Sequence, residues 1–218
     1  MDPNQRLSID EIAANGRPTE PKEHAIKFIN QCGVLARDNI PITVHEWVKP
    51  SKAHAGVRYV SDRAKEDLWN KLMANFNLPS DYQEKDEEGN PDPEGKARKL
   101  KVKQFALSKM AEAFRNWKKN LWAQYVKSDK KAPLEFKGKH VKLKHQWAEF
   151  VAYKESEAAK KKSEKNKKNA SNKKHHHVLG PGGYKGAVHK WEAMEADLRA
   201  KGIPLGTEGW LERTKHWW

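Results

Sequence analysis

KVKQFALSKMAEAFRNWKKNLWAQYVK, Lys101–Lys127, is the stretch whose reading decides the fold. Val102, Ala106, Met110, Ala113, Phe114, Trp117, Leu121 and Tyr125 recur at three- and four-residue steps, the period of one helical face. Lys103, Lys109, Arg115, Lys118, Lys119 and Lys127 lie mostly off that stripe. The spacing predicts a long helix that buries one side and presents cations on another.

The same period extends outward on both sides. Pro21 suits a first helical turn, and Ala25, Phe28, Ile29, Cys32 and Ala36 predict a helix to about Arg37, with Gly33 a weak point inside it. Ile40–Val48 is rich in β-branched residues but carries Pro41, which predicts an extended segment or short edge strand. Ser61 reads as an N-cap, followed by the stripe Ala64, Leu68, Trp69, Leu72, Met73 and Phe76, with Pro79 as the stop. A further helix is expected from about His140, with Val141, Trp147, Phe150, Val151 and Ala158 on its apolar side. Another is expected from about Ala187 to Ala200, closed by Gly202 and Pro204, and a last amphipathic segment over Trp210–Trp218. The expected class is all-α: a multi-helix, Trp-rich bundle with long connections and a flexible basic arm.

The organisation expected along the chain follows these breaks. Residues 1–20 read as a flexible N-terminus and 21–80 as an N-terminal helical region. Residues 81–95 (DYQEKDEEGNPDPEG) read as an acidic exposed loop or linker, and 96–159 as a basic, Trp-rich helical DNA-binding region. A basic arm with a Gly-rich turn (160–185) and C-terminal helices (186–218) complete it.

Charge is segregated rather than spread. The formal net charge is +14, yet residues 1–95 hold 12 Lys+Arg against 17 Asp+Glu, whereas residues 96–145 hold 16 against 3. Residues 154–174 hold 9 against 3. Solubility does not require such segregation; binding a phosphate backbone does. With 37% hydrophobic and 33% charged residues the core should be modest, and the nine Trp compensate in part. Trp69, Trp117 and Trp147 each fall in a different expected helix. Their own role is packing, in the manner of Myb and trihelix DNA-binding modules, and the binding role belongs to the cations around them.

Arg115 is the best single candidate for a bidentate contact to a base edge or phosphate. Lys118, Lys119, Lys103, Lys109 and Lys127 are expected to neutralise phosphates. The run Lys160–Lys174 has no apolar stripe and reads as a solvated helix extension or a flexible arm. In it Lys165, Lys167, Lys168, Lys173 and Lys174 are candidate phosphate contacts or part of a nuclear-localisation signal. His177 joins them, leading into Gly180-Pro181-Gly182-Gly183, which lacks the ending of a P-loop.

Other chemistries find little footing. Cys32 is the only cysteine, which excludes an intramolecular disulfide and a cysteine-rich zinc site; it reads as a small buried hydrophobe. His175, His176 and His177 are adjacent and point different ways, a poor arrangement for one metal ion. No metal, cofactor or catalytic constellation is expected, and the chain is read as a non-enzyme. No apolar run approaches a membrane helix, and the N-terminus is too polar for a signal peptide. The expected partner is double-stranded DNA. Two other readings stand beside it: RNA binding through the same cations, and an interaction module in which Trp217 and Trp218 dock a second copy or a transposase partner.

FINQCGVLARDNIPITVHEW (Phe28–Trp47), YVSDRAKEDLWNKLMANFNLP (Tyr59–Pro79), FRNWKKNLWAQYVK (Phe114–Lys127), SEKNKKNASNKKHHHVLGPGGYK (Ser163–Lys185) and WLERTKHWW (Trp210–Trp218) occur in this order. Together they resemble the plant transposase family of the Ptta/En/Spm (CACTA) type, in particular its grass members, from about Ala14 onward. The resemblance implies a transposon-encoded or transposon-derived nuclear protein, and within it the accessory DNA-binding part rather than the strand-cutting one. It implies family blocks at Phe114, Arg115, Trp117 and Lys118, and at Asn166, Lys167, Asn169, His177 and Gly180. The acidic stretch 81–95 and the His triplet depart from the family pattern. Relatives run on beyond Trp218, so a truncated product and a domesticated gene with a changed role both stay open.

Overall fold

A computed structural model describes residues 6–50, 56–85, 89–127, 135–172 and 183–204. Most of them are helical, as the periodicity requires. The chain divides into two compact units, Met1–Lys160 and Lys161–Trp218.

In the first unit, helix α1 (Lys22–Asn39) starts after Pro21 and buries Ala25, Phe28, Cys32, Leu35 and Ala36. Helix α2 (Asp62–Met73) is capped as its sequence suggests: the Ala64 amide donates to Ser61 Oγ at 3.2 Å. It buries Leu68, Trp69 and Leu72. Helix α3 (Pro93–Tyr125) runs along both and is the spine of the unit. Their stripes merge into one core containing Phe28, Cys32, Leu68, Trp69, Leu72, Val102, Ala106, Met110 and Phe114. Each fully buried large side chain there contributes about 2 kcal/mol by removing apolar area from water. Burial also pushes the Cys32 thiol up to about 12, so the cysteine is a core hydrophobe.

The C-terminal part of α3 enters a second, smaller core with Ile42, Leu121, Leu143 and Phe150. A short 3₁₀ turn (Gly138–Leu143) and helix α4 (Trp147–Glu155) bring its partners. Trp117 packs against both cores, and the Trp147 ring meets those of Phe150, Tyr125 and Phe136 at centroid distances of 5.5, 6.3 and 6.3 Å. Trp69, Trp117 and Trp147 therefore pack in or against the cores, as expected.

Several boundaries differ from the sequence reading. Residues 6–20 are not loosely ordered. Strand β1 (Leu7–Ser8) pairs in parallel with β4 (Phe76–Asn77), and β2 (Glu11–Ile12) pairs antiparallel with β3 (Pro18–Glu20). Ile9 between them is buried. Gly16, at φ +82°, lies so close to α3 that a Cβ there would sit 2.4 Å from the Lys101 carbonyl oxygen. Only glycine fits that approach. Helix α2 ends at Met73 rather than at Pro79, because the chain turns at Ala74 to form β4.

Helix α3 begins at Pro93, within the stretch expected to be a loop. Proline suits the first turn, and the Glu94 amide donates to Asp92 Oδ1 at 2.9 Å. The helix expected from His140 is broken instead at Ser156, whose extended backbone ends α4. Ser156 Oγ accepts from the Ala159 amide at 3.3 Å, opening α5 (Glu157–Ser171). Val141 of the expected apolar side is exposed, and Leu143 is buried in its place.

Helix α5, whose first four residues belong to the first unit and the rest to the second, buries no residue along its length. Helix α6 (Gly183–Ala200) begins before the expected Ala187 and ends at Gly202, φ +68°, where the Gly202 and Ile203 amides donate to the Arg199 and Leu198 carbonyls at 3.0 Å each. Among the described residues, no helix is long and apolar enough to cross a membrane.

Candidate nucleic-acid interface

The basic helix α3 carries paired and unpaired cations. In the N-terminal half Arg98, Lys99 and Lys103 are matched by acids from the segments before the helix, whereas Lys96 and Lys101 are exposed and form no ion pair among the described residues. Arg98 Nε donates to the Asp81 carbonyl oxygen at 2.7 Å, and its guanidinium also meets the carboxylates of Asp81, Glu94 and Asp92 at 3.6, 3.3 and 3.8 Å. Lys99 pairs with Glu84 at 3.1 Å and holds that carboxyl below the usual carboxylate range. Lys103 pairs with Glu66 of α2. Far from being a detached linker, the acidic stretch is clamped to α3; a Cβ at Gly95 would fall 2.1 Å from the Gln83 carbonyl oxygen. Lys109 pairs with Glu112 one turn on, at 2.9 Å.

Beyond Glu112 the helix holds no acid to its end at Tyr125. Arg115 and Lys119, one turn apart, are exposed and make no ion pair among the described residues. Lys127, just past the helix, is exposed in the same way. Lys119 shares with Asn116, Asn120 and Ala123 the face opposite the buried stripe of Phe114 and Leu121, and Arg115 flanks that face.

Lys118 is a correction. It was expected among the phosphate-facing cations, but only 7% of it is exposed. Its Nζ donates to the Val44 carbonyl at 2.5 Å and lies 4.4 Å from the centroid of the Phe114 ring. The ammonium satisfies a carbonyl of the irregular segment Ile40–Val48, which forms only one isolated bridge, Glu46 to Tyr59, and no regular strand. Lys118 thus ties α3 to this segment from inside.

The structure also gathers polar residues that periodicity does not connect. Asn120 and Gln124 of α3 line an open cleft of about 440 Å³ with Arg37 and Asp38 at the end of α1 and Lys142 of the 3₁₀ turn. Arg37 and Lys142 are exposed and, among the described residues, form no ion pair. Their contribution is invisible to a reading of α3 alone, since each sits in a different element.

On α5, Lys165, Lys167 and Lys168 are exposed and likewise without ion pairs among the described residues, while Lys160 meets Glu157 at 3.6 Å. The solvated-helix alternative for this run is the one observed, through Ser171. Lys173, Lys174 and His177, the Gly-rich turn, and Trp217 and Trp218 lie outside the described residues. No group of three or more His, Cys, Asp or Glu among the described residues is arranged to hold a metal ion.

Fold and surface thus define a mostly helical protein whose α3 and α5 present exposed cations. Residues 143–198 match a family of plant transposases, the Ptta/En/Spm family, which supports the resemblance read from the sequence. The matched stretch is about a quarter of the chain and takes in α4, α5 and most of α6. It contains the Ser163–Lys185 block; the other four blocks lie outside it. Comparison with curated proteins and with solved structures finds no match.

Proposed function

We propose that this chain is a transposon-derived, non-catalytic DNA-binding protein that works in the nucleus. In this reading the C-terminal half of α3 docks on double-stranded DNA, and α5 adds phosphate contacts that carry no sequence information. The observation that carries it is the pair Arg115 and Lys119, exposed on an acid-free half-helix whose opposite face is locked into two cores. Arg37 and Lys142 extend that surface beside the helix. An electrostatic footprint of this kind supplies affinity through counterion release, and a rigid helix positions it.

The non-catalytic part of the proposal draws on where the acids are. Asp81, Asp92 and Glu94 gather around the Arg98 guanidinium, and Glu84 and Glu66 pair with Lys99 and Lys103, so cations stand where a strand-cutting site would need metal ions. The family match adds the transposon context.

The test is direct binding of the purified chain to mixed-sequence double-stranded DNA, followed by fluorescence anisotropy from 50 to 200 mM salt. Six to ten phosphate contacts predict an affinity loss of about 10³–10⁵ over that range. No binding at 50 mM salt, or an affinity indifferent to salt, would overturn the proposal.

A further inference from the structure

Asn116 and Asn120 stand exposed in the C-terminal third of α3 with no side-chain hydrogen bond among the described residues. Asparagine is a poor helix former, and Lys or Glu at these positions would serve helix stability and solubility better. Among the described residues neither asparagine caps a helix or pairs with another side chain, and Asn120 lies open along the cleft, so the fold does not explain their type. They fall in one strip with Lys119 and Ala123, at successive three- and four-residue steps, and Arg115 flanks it. The strip from Arg115 to Ala123 is about 12 Å long at the rise of an α-helix, which spans roughly three to four base pairs. Ala123 keeps its C-terminal end low enough for close approach.

We infer that Asn116 and Asn120, together with Arg115, read base edges in the major groove, and that this chain prefers sites in which adenine and guanine lie within about four base pairs of each other. The inference rests on the DNA-binding reading above and deepens it from backbone contact to sequence choice. The chemistry matches the strip residue by residue. An amide side chain offers one donor and one acceptor, which fit adenine N6 and N7; a guanidinium offers two donors, which fit guanine O6 and N7; an alanine methyl suits contact with the thymine methyl. Phosphate oxygens, being acceptors only, would use half of each amide. The cations Lys119, Arg37 and Lys142 around the strip then position the helix on the backbone.

The experiment is selection from a random double-stranded DNA pool with the whole chain, run in parallel for the wild type and for an N116A/N120A variant. Both substitutions are at exposed helix positions and favour the helix, and circular dichroism verifies that the fold is kept. The wild type should enrich a short motif containing adenine and guanine. The variant should bind the unselected pool within about two-fold of the wild type, while its discrimination at the adenine positions falls about ten-fold or more. An unchanged motif in the variant overturns the inference, as does a wild type that binds the pool but enriches no motif. A wild type that fails to bind the pool at all overturns the DNA-binding reading and this inference with it, so the two failures are distinguishable.

Discussion

Lys118 Nζ donates to the carbonyl of Val44 at 2.5 Å, and this bond places a lysine of the basic helix inside the protein. Its aliphatic stem packs, its charge rests against the Phe114 ring, and its ammonium satisfies a carbonyl with no strand partner. Removing it leaves that carbonyl buried and opens a void. K118A should therefore destabilise the first unit by about 2–3 kcal/mol, and K118M, which keeps the volume, by less. Urea unfolding followed by tryptophan fluorescence measures both. Loss of DNA binding in a charge-reversed K118E variant would reflect unfolding, not a lost phosphate contact.

His45 makes folding sensitive to acid. Its ring stacks on Tyr153 at 3.8 Å, and its Nδ1 accepts from the Arg58 amide at 3.3 Å, which requires the neutral imidazole. Burial first, then the charges of Lys118 and Arg58, holds its pKa below the ordinary value, against the opposing pull of Glu149 and Glu46. Between the depressed folded value and the ordinary one near 6.5 the unfolded chain binds more protons. Stability should therefore fall as pH drops below about 6.5. An H45F variant, which keeps the stack and cannot titrate, should show a shallower loss of thermal midpoint between pH 7.5 and 5.

Gly16 is held against the backbone of α3, and its φ of +82° is one that side chains rarely adopt. G16A should cost about 1–3 kcal/mol, from strain at φ and from displacement of the Lys101 carbonyl. The same substitution at Gly89, also at positive φ but with open space around it, should cost less. Comparing the two in urea separates the cost of the close approach from the cost of the dihedral.

Helix α5 has no packing role to lose, so its lysines can be neutralised without disturbing a core. Replacing Lys165, Lys167 and Lys168 with Gln should leave the fold intact. If all three face phosphates, it should flatten the plot of log affinity against log salt by about 2 to 3. Anisotropy titrations at four salt concentrations give that slope.

The three long helices of the first unit were legible because their apolar residues keep strict helical steps and because Ser61 is an N-cap by type. The four strands, of two or three residues each, were not: pairing Leu7 with Phe76 depends on residues far apart in the chain, and so short a run has no period to read. The acidic stretch looked like a solvated linker because composition does not disclose that Arg98 and Lys99 lie beside it. Lys118 could have been found. It stands four residues after Phe114 and three before Leu121, on the buried stripe rather than off it. The cleft of Arg37, Asn120 and Lys142 was beyond reach, since only tertiary packing brings those elements together.

The most direct test of the account compares the affinity of mixed-sequence double-stranded DNA for the wild type, for R115A/K119A and for K103Q/K109Q at 100 mM salt. The account predicts at least about a ten-fold loss for R115A/K119A, whose cations form no ion pair among the described residues, and little change for K103Q/K109Q, whose lysines are already matched by Glu66 and Glu112. Wild-type affinity in R115A/K119A would contradict the assignment of the C-terminal half of α3 as the DNA-binding surface.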